Sequence, residues 1–198
     1  MLAKYTKALE AVKLPPAYTC GYTVSHQGAA PVETEHQLFR EAGRERDEII
    51  AYNGEKLSHP EVRIFARRRD PYAVTFLAPR LSEYTFTYVE AVRHGRTVNY
   101  VFKTAAAHGT PNYEVTRVTV DGASFLPLEI VFRAKRGTTI GTGRISYEKA
   151  DRFWMPTFAS ARAQVNGLLE TERIDWTRYQ FYPSLPPSTF AAPSRGES

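Results

Sequence analysis

The sequence predicts an all-β fold, in which eleven short antiparallel strands form a meander that curls towards an incomplete barrel, with one helix at the amino end. After residue 16, the spacing of apolar residues changes from a helical period to an alternation that holds over most of the chain. Glycine-containing turn pairs recur at short intervals along the rest of the chain. Aromatic residues, which favour strands, make up 13% of the 198 residues. Helical patterns are missing between the strands, which excludes a parallel βαβ sheet.

The first predicted element is a helix over residues 2–13. Four apolar side chains recur there at helical spacing: Leu2, Tyr5, Leu9 and Val12. Prolines at positions 15 and 16 end the pattern, because proline cannot continue a helix.

The strands follow in order, each recognised by apolar residues that alternate with polar ones. The predicted strands are 18–24, 33–41, 45–53, 61–68, one carrying Tyr84, Phe86 and Tyr88, one carrying Val98, Tyr100 and Phe102, then 113–121, 127–135, 139–149, 153–165 and 168–181. The turn pairs Asn53-Gly54, Asp121-Gly122, Arg136-Gly137 and Asn166-Gly167 favour tight hairpins between them. Residues 71–79 are bracketed by prolines and fit either a short helix or an edge strand.

No repeat, linker or internal boundary interrupts this pattern, so we expect a single domain over residues 1–181. The last seventeen residues, 182–198, hold four prolines and several serines and predict an extended tail. Cys20 is the one cysteine, which excludes an intramolecular disulfide and fits a small buried residue in a strand. The sequence contains no run of about eighteen apolar residues, and a membrane-spanning helix is therefore not predicted.

The net charge of +5 raises the question of an anionic partner. Basic and acidic residues are interspersed, however, and this pattern fits a solvated surface; an affinity for anionic membranes stays open. A nucleic-acid platform would need basic residues beside its aromatic ones. The positions around Phe86 and Tyr100 are mostly uncharged, and we therefore expect no nucleic-acid partner.

A catalytic or metal centre is not predicted. Glu35 and His36 are neighbours in a strand and point to opposite faces, which argues against shared metal coordination. Residues 137–143 are rich in glycine but lack the Gly-Lys-Ser/Thr ending of a phosphate loop, and a turn or bulge explains them better. No serine lies in a Gly-x-Ser-x-Gly context. We expect no enzymatic activity, no cofactor and no metal.

The aromatic face of the predicted sheet is its most informative feature. One short helix cannot cover eleven strands, so the sheet has to curl on itself and leave interior space that apolar side chains line. A plain filled core is the alternative. Strand alternation selects eleven cavity-lining positions, and a slip of one residue would move such a set to the opposite face. These positions are Tyr84, Phe86, Tyr88, Val98, Tyr100, Phe102, Ile130, Phe132, Trp154, Phe158 and Trp176.

The order of elements resembles that of the outer-membrane lipoprotein-sorting (LolA-like) superfamily, which includes the periplasmic regulator RseB. The resemblance covers nearly the whole chain and is carried by weak signals in a fixed order. These are the helix Leu2–Val12, Pro15, the strand Tyr18–Val24, Arg44-Glu45-Arg46, the Asp121-Gly122 turn before Leu126-Pro127-Leu128, Phe153-Trp154-Met155-Pro156, Arg173-Ile174-Asp175-Trp176 through Phe181, Leu185-Pro186 and Phe190.

This resemblance implies an incomplete barrel with a helical lid over an apolar cavity. It also implies a periplasmic carrier of a lipid or of a lipoprotein acyl chain, here without its export signal. The resemblance leaves open whether the protein also binds a membrane surface or another protein. The alternative within the same family is a regulatory domain that senses lipid or peptide and binds a signalling protein. No functional residue of the family can be placed on this sequence.

Overall fold

The computed structural model describes residues 1–109 and 111–191. Two helices, eleven strands and one 3₁₀ turn are found within those ranges. In chain order they are α1 (Leu2–Ala11), β1 (Ala17–Gln27), β2 (Val32–Glu41), β3 (Arg44–Tyr52), β4 (Glu55–Phe65), α2 (Val74–Leu77), β5 (Tyr84–His94), β6 (Thr97–Ala106), β7 (Tyr113–Asp121), β8 (Pro127–Arg136), β9 (Thr139–Ala150), β10 (Phe153–Val165), β11 (Leu168–Tyr182) and the 3₁₀ turn Pro187–Phe190.

All eleven strands belong to one antiparallel sheet, as the alternation predicts. Their order across the sheet is β4-β3-β2-β1-β11-β10-β9-β8-β7-β6-β5. The edge strands β4 and β5 do not pair with each other, and the sheet is therefore open. Two runs of hairpins, β1 to β4 and β5 to β11, are joined by the pairing of the first strand with the last.

The segment between the two edge strands differs from the sequence expectations. Of the two alternatives for residues 71–79, the structure adopts the short helix, α2. Strand β4 begins at Glu55 and ends at Phe65, so it starts six residues before the predicted strand. It runs through Pro60, which is tolerated because β4 is an edge strand and a missing backbone N–H there costs few ladder bonds.

The connection between β7 and β8 is longer than the tight hairpin expected at Asp121-Gly122. The Asp121 carboxylate accepts a hydrogen bond from the backbone N–H of Ser124 at 2.7 Å and holds the turn. The left-handed residue of this turn is Phe125 (φ 60°), and Gly122 has a different role. A Cβ at position 122 would collide with the carbonyl oxygen of Val98, and the strand before this turn can approach β6 only through a glycine.

The described chain forms two compact units, one of residues 1–14 and 71–172 and the other of residues 15–70 with the chain from 173 onwards. The first unit has a dense aliphatic and aromatic core. Its most deeply buried members are Tyr5, Val74, Val115, Val118, Val120, Ile130 and Tyr147. The second unit buries several charged and polar side chains beside its apolar ones. These are Thr19, His36, Arg40, Glu45 and Asp47. Of the predicted tail, the part over residues 192–198 lies outside the described residues.

Candidate functional site

The strands of the first unit present one continuous apolar face. Residues paired across antiparallel strands point to the same side of a sheet. The pairing therefore places one row of side chains on a single face from β5 to β10: Tyr88, Phe102, Val118, Ile130, Ile145 and Ala159. We call this side the inner face.

Helix α1 packs on the inner face through Tyr5, its one buried residue. The Tyr5 ring meets Phe86 edge-on with the ring centroids 5.6 Å apart, and Phe86 meets Phe102 at 6.1 Å. The Tyr5 hydroxyl donates a hydrogen bond to the carbonyl oxygen of Pro79 at 2.8 Å. Burial raises the pKa of this hydroxyl, which keeps it protonated and able to donate. One side chain thus anchors α1 both to the sheet and to the chain after α2.

A cavity of about 520 Å³ lies between α1 and residues 75–82. Its volume falls within the range of about 300–1,000 Å³ that is typical of small-molecule sites. The lining combines an apolar part with hydroxyl groups and one charge of each sign: Tyr5, Leu9, Val12 and Leu81, then Thr6, Thr75 and Ser82, then Glu10 and Arg80. The Thr6 hydroxyl is buried and has no hydrogen-bond partner among the described residues. The cavity can therefore hold a largely apolar molecule and offer a polar contact to it.

Most of the eleven predicted cavity residues lie on the inner face, although none of them belongs to the lining of this cavity. Nine share that face by register or strand alternation: Tyr84, Phe86, Tyr88, Val98, Tyr100, Phe102, Ile130, Phe132 and Trp154. Ile130 is 0% exposed and Phe102 4% exposed, so both are packed in the core. Tyr88 is exposed, and Phe86 contacts the ring of Tyr5, which does line the cavity.

Trp154, the ninth of these, donates from its indole nitrogen to the carbonyl oxygen of Pro127 at 2.6 Å. The other two predicted residues are placed differently. Phe158 lies on the opposite face, because a bulge between Pro156 and Phe158 shifts the alternation by one residue. Its ring is covered by the guanidinium of Arg144 at 5.0 Å. Trp176 belongs to the second unit, where its ring lies 6.4 Å from that of Tyr22.

Sequence patterns gave little sign of the residues that do line the cavity. Leu9 and Val12 were recognised as the apolar stripe of α1, a pattern that predicts packing without specifying a partner. Residues 75–82 carried no periodic signal at all. The signal that was available is the pair of prolines bracketing 71–79, since prolines disfavour a place inside a sheet and left a short helix as one of the two alternatives.

The second unit contains a buried polar cluster on β1, β2 and β3. The Asp47 carboxylate lies 3.0 Å from Nδ1 of His36 and accepts a hydrogen bond from the Tyr22 hydroxyl at 2.7 Å. With Nδ1 donating to Asp47, Nε2 of His36 accepts from the Thr34 hydroxyl at 2.8 Å. The Tyr22 ring stacks on the imidazole at 4.3 Å and covers it. This cluster fixes three neighbouring strands to one another.

Burial alone would raise the pKa of Asp47, but hydrogen bonds from His36 and Tyr22 and the positive charge of Arg63 lower it below its ordinary value. A buried ion pair joins Arg40 to Glu45, and Arg68 donates to the same carboxylate at 2.7 Å. Burial raises the pKa of the Cys20 thiol to about 12, so this cysteine stays protonated and unreactive at neutral pH.

Among the described residues, no group of three or more His, Cys, Asp or Glu side chains could hold a metal ion. No helix within the same residues is long and apolar enough to cross a membrane.

Comparison with known proteins places the chain by fold. No protein-family model matches the sequence, and no curated protein sequence matches it significantly. The structure is similar to a LolA superfamily protein from Nitrosomonas europaea, with a TM-score of 0.50 and 13% sequence identity over 96% of this chain and 97% of that one. It is also similar to a putative outer membrane lipoprotein-sorting protein domain from Vibrio parahaemolyticus. That match has a TM-score of 0.52 and 11% identity over 96% of this chain and 95% of that one.

The fold is therefore the incomplete, LolA-like β-barrel, and the predicted resemblance to that superfamily is confirmed at the level of the fold. Because both likenesses are below 25% identity, they define the architecture and leave the ligand to be argued from the site itself.

Proposed function

We propose that this chain is a periplasmic carrier without enzymatic activity, which shelters an acyl chain or a similar apolar ligand between α1 and residues 75–82. The observation that carries this proposal is the cavity of about 520 Å³, with Leu9, Val12 and Leu81 in its apolar wall. Each CH₂ group removed from water contributes about 0.8 kcal/mol, so a chain of several methylenes binds without a strong polar anchor.

The inner face supplies the floor of the proposed site. The Tyr5 ring lines the cavity and contacts Phe86, and Phe86 in turn contacts Phe102. A ligand too long for the cavity would displace Tyr5 and extend over this aromatic face, where the predicted cavity residues lie. Movement of α1 would then serve as the lid motion that admits and releases cargo.

The weakness of the α1 anchor supports this role. Tyr5 is the one side chain of the helix that is buried, and the helix has no side-chain cap at its amino end. An element held by few buried contacts opens at low free energy, as ligand-gating elements do.

A binding titration with a fluorescent fatty-acid analogue tests the proposal. Leu9→Asp places a charge in the apolar wall, and we expect it to weaken binding by at least about tenfold, because a carboxylate cannot be desolvated against an acyl chain. Ala11→Asp is the matched control, since Ala11 is an exposed residue of the same helix that does not line the cavity. We expect this variant to bind as the unmodified protein does.

A second variant, Ser82→Trp, fills the cavity without adding charge and should also reduce uptake. Equal binding by Leu9→Asp and Ala11→Asp would place the ligand elsewhere. No uptake by the unmodified protein would argue for a filled core, and it would favour the regulatory alternative, in which the domain binds a protein partner.

A further inference from the structure

Two neighbouring hairpins of the first unit expose a group of aliphatic side chains. These hairpins are residues 135–140, between β8 and β9, and residues 162–169, between β10 and β11. Ile140 is 55% exposed, Val165 39%, Leu168 54% and Leu169 62%. β9 and β10 are antiparallel, with Ala163 paired to Gly141, so both turns project from the same end of the sheet. We call these two hairpins the hairpin-tip surface.

Basic residues accompany these aliphatic ones. Lys135 is paired directly with Ile140 across the first hairpin, and Arg136 follows it at the turn. Arg162 lies near the start of the second hairpin, paired to Thr142. All three side chains are exposed, and no ion pair among the described residues includes any of them.

Acidic residues are missing from this part of the sequence. Residues 135–142 contain Lys135 and Arg136, and residues 162–169 contain Arg162, with no Asp or Glu in either range; the nearest acid is Glu170, directly after Leu169. The turns at the other end of the same strands differ, since one carries Asp121 and in the other Asp151 lies between Lys149 and Arg152. The positive charge of the hairpin-tip surface is thus local, whereas the chain as a whole has interspersed charges.

We propose that the hairpin-tip surface docks on an anionic lipid membrane. Exposed aliphatic side chains at the ends of hairpins can enter the boundary between headgroups and acyl chains, where they are removed from water. Lys and Arg beside them remain at the level of the headgroups and are attracted to anionic lipids. The aliphatic side chains at the tips thus fit the boundary with the acyl chains, and the unpaired Lys and Arg side chains beside them fit the headgroup level.

The asymmetry between the two ends of the strands orients the contact. Docking through this end leaves the turns that carry Asp121 and Asp151 pointing away from the negatively charged surface. The proposal stands independently of the ligand cavity, because none of the residues lining the cavity belongs to the hairpin-tip surface.

Co-sedimentation with vesicles tests this inference. The full chain is mixed with vesicles of phosphatidylcholine alone or with equal parts of phosphatidylcholine and phosphatidylglycerol. We expect binding to the anionic vesicles, weakened by added salt because the charge contribution is screened. Leu168→Asp should reduce the partition constant by roughly tenfold or more, because it removes an inserting side chain and adds a repelled charge.

Leu14→Asp is the matched control for the apolar contribution, since Leu14 is 51% exposed and lies outside the hairpins. For the charge contribution, the pair Lys135→Glu and Arg136→Glu should also lose roughly tenfold. Its control is the pair Arg93→Glu and Lys149→Glu, which changes the net charge by the same amount at exposed positions of β5 and β9.

Loss of binding in both hairpin variants, with both controls binding as the unmodified protein does, is the expected result. Circular dichroism of each variant confirms that the fold is retained. The proposal is overturned if the unmodified protein does not co-sediment with anionic vesicles. It is also overturned if the hairpin variants bind as well as their controls, since the surface would then have another role.

Discussion

At the scale of single residues, the two units of the chain depend on different kinds of buried group. Tyr5 stabilises the first unit with an aromatic ring against Phe86 and a hydroxyl hydrogen bond to Pro79. In the second unit, Asp47 holds His36 and Tyr22 by hydrogen bonds to its carboxylate. Hydrogen bonds to a charged group are stronger than those between neutral groups, so a single carboxylate can fix several strands.

The Asp47 cluster predicts a pH-dependent contribution to stability. At neutral pH, Asp47→Asn should lower the free energy of unfolding by about 1.5–3 kcal/mol, since it removes the charged carboxylate to which His36 and Tyr22 are hydrogen-bonded. The folded-state pKa of Asp47 lies below its ordinary value. Its contribution is therefore fully present above the unfolded-state pKa of about 3.9 and is lost as the pH falls through the folded-state value.

Urea unfolding of both proteins across the acid range measures this contribution. The difference between the unmodified protein and Asp47→Asn should be constant near neutral pH and should shrink below about pH 4. A difference that stayed the same down to the lowest pH would show that the carboxylate charge has no part in it.

At the scale of elements, strand alternation predicted most strands, and local irregularities decided where prediction failed. The bulge in β10 puts Phe158 on the face opposite to the one expected, because one extra residue inverts all later side chains. Pro156 sits at that bulge, but a proline in a strand does not reveal on which side the alternation will resume. The β7–β8 turn was similarly mistaken, since Gly122 is required by the proximity of Val98 rather than by a left-handed backbone.

Strand β9 offers a matched test of close packing by glycine. A Cβ at Gly143 would lie 2.5 Å from Cζ of Phe132 and still closer to the Ser160 carbonyl oxygen, whereas at Gly141 the nearest atom is 3.2 Å away. Gly143→Ala should therefore destabilise the protein by about 1–3 kcal/mol through overpacking. Gly141→Ala, two residues away in the same strand, should have a much smaller effect.

Thermal or urea unfolding of the two variants makes the comparison. An equally small loss of stability in both variants would contradict this prediction. It would mean that the Phe132 ring and the β10 backbone move away from β9 at little cost in free energy.

At the scale of the whole molecule, the number of strands and their antiparallel pairing followed from the sequence, while the position of the cavity did not. Alternation identifies which side chains share a face, as it did for Phe86, Phe102 and Ile130. It does not show which of them are covered, and Ile130 is packed in the core. The cavity lies where α1 meets residues 75–82, a contact between segments about seventy residues apart that no local pattern records.

The order of the strands in the open sheet also depends on contacts between distant parts of the chain. The two edge strands, β4 and β5, are neighbours in sequence but do not pair, and the sheet is completed by β1 pairing with β11. Hairpin signals are local and describe each run of strands correctly. A pairing between the first strand and the last leaves no such signal, and it was not predicted from the sequence.

Whether the protein carries an apolar ligand can be measured by native mass spectrometry of the full chain, exported to the periplasm of the expression host and purified, followed by organic extraction. We expect an added mass in the range of a lipid, which is reduced in Leu9→Asp and retained in Ala11→Asp. A protein that carries no added mass, and takes up none when incubated with a fatty acid, would contradict the claim that the cavity beneath α1 holds an apolar ligand.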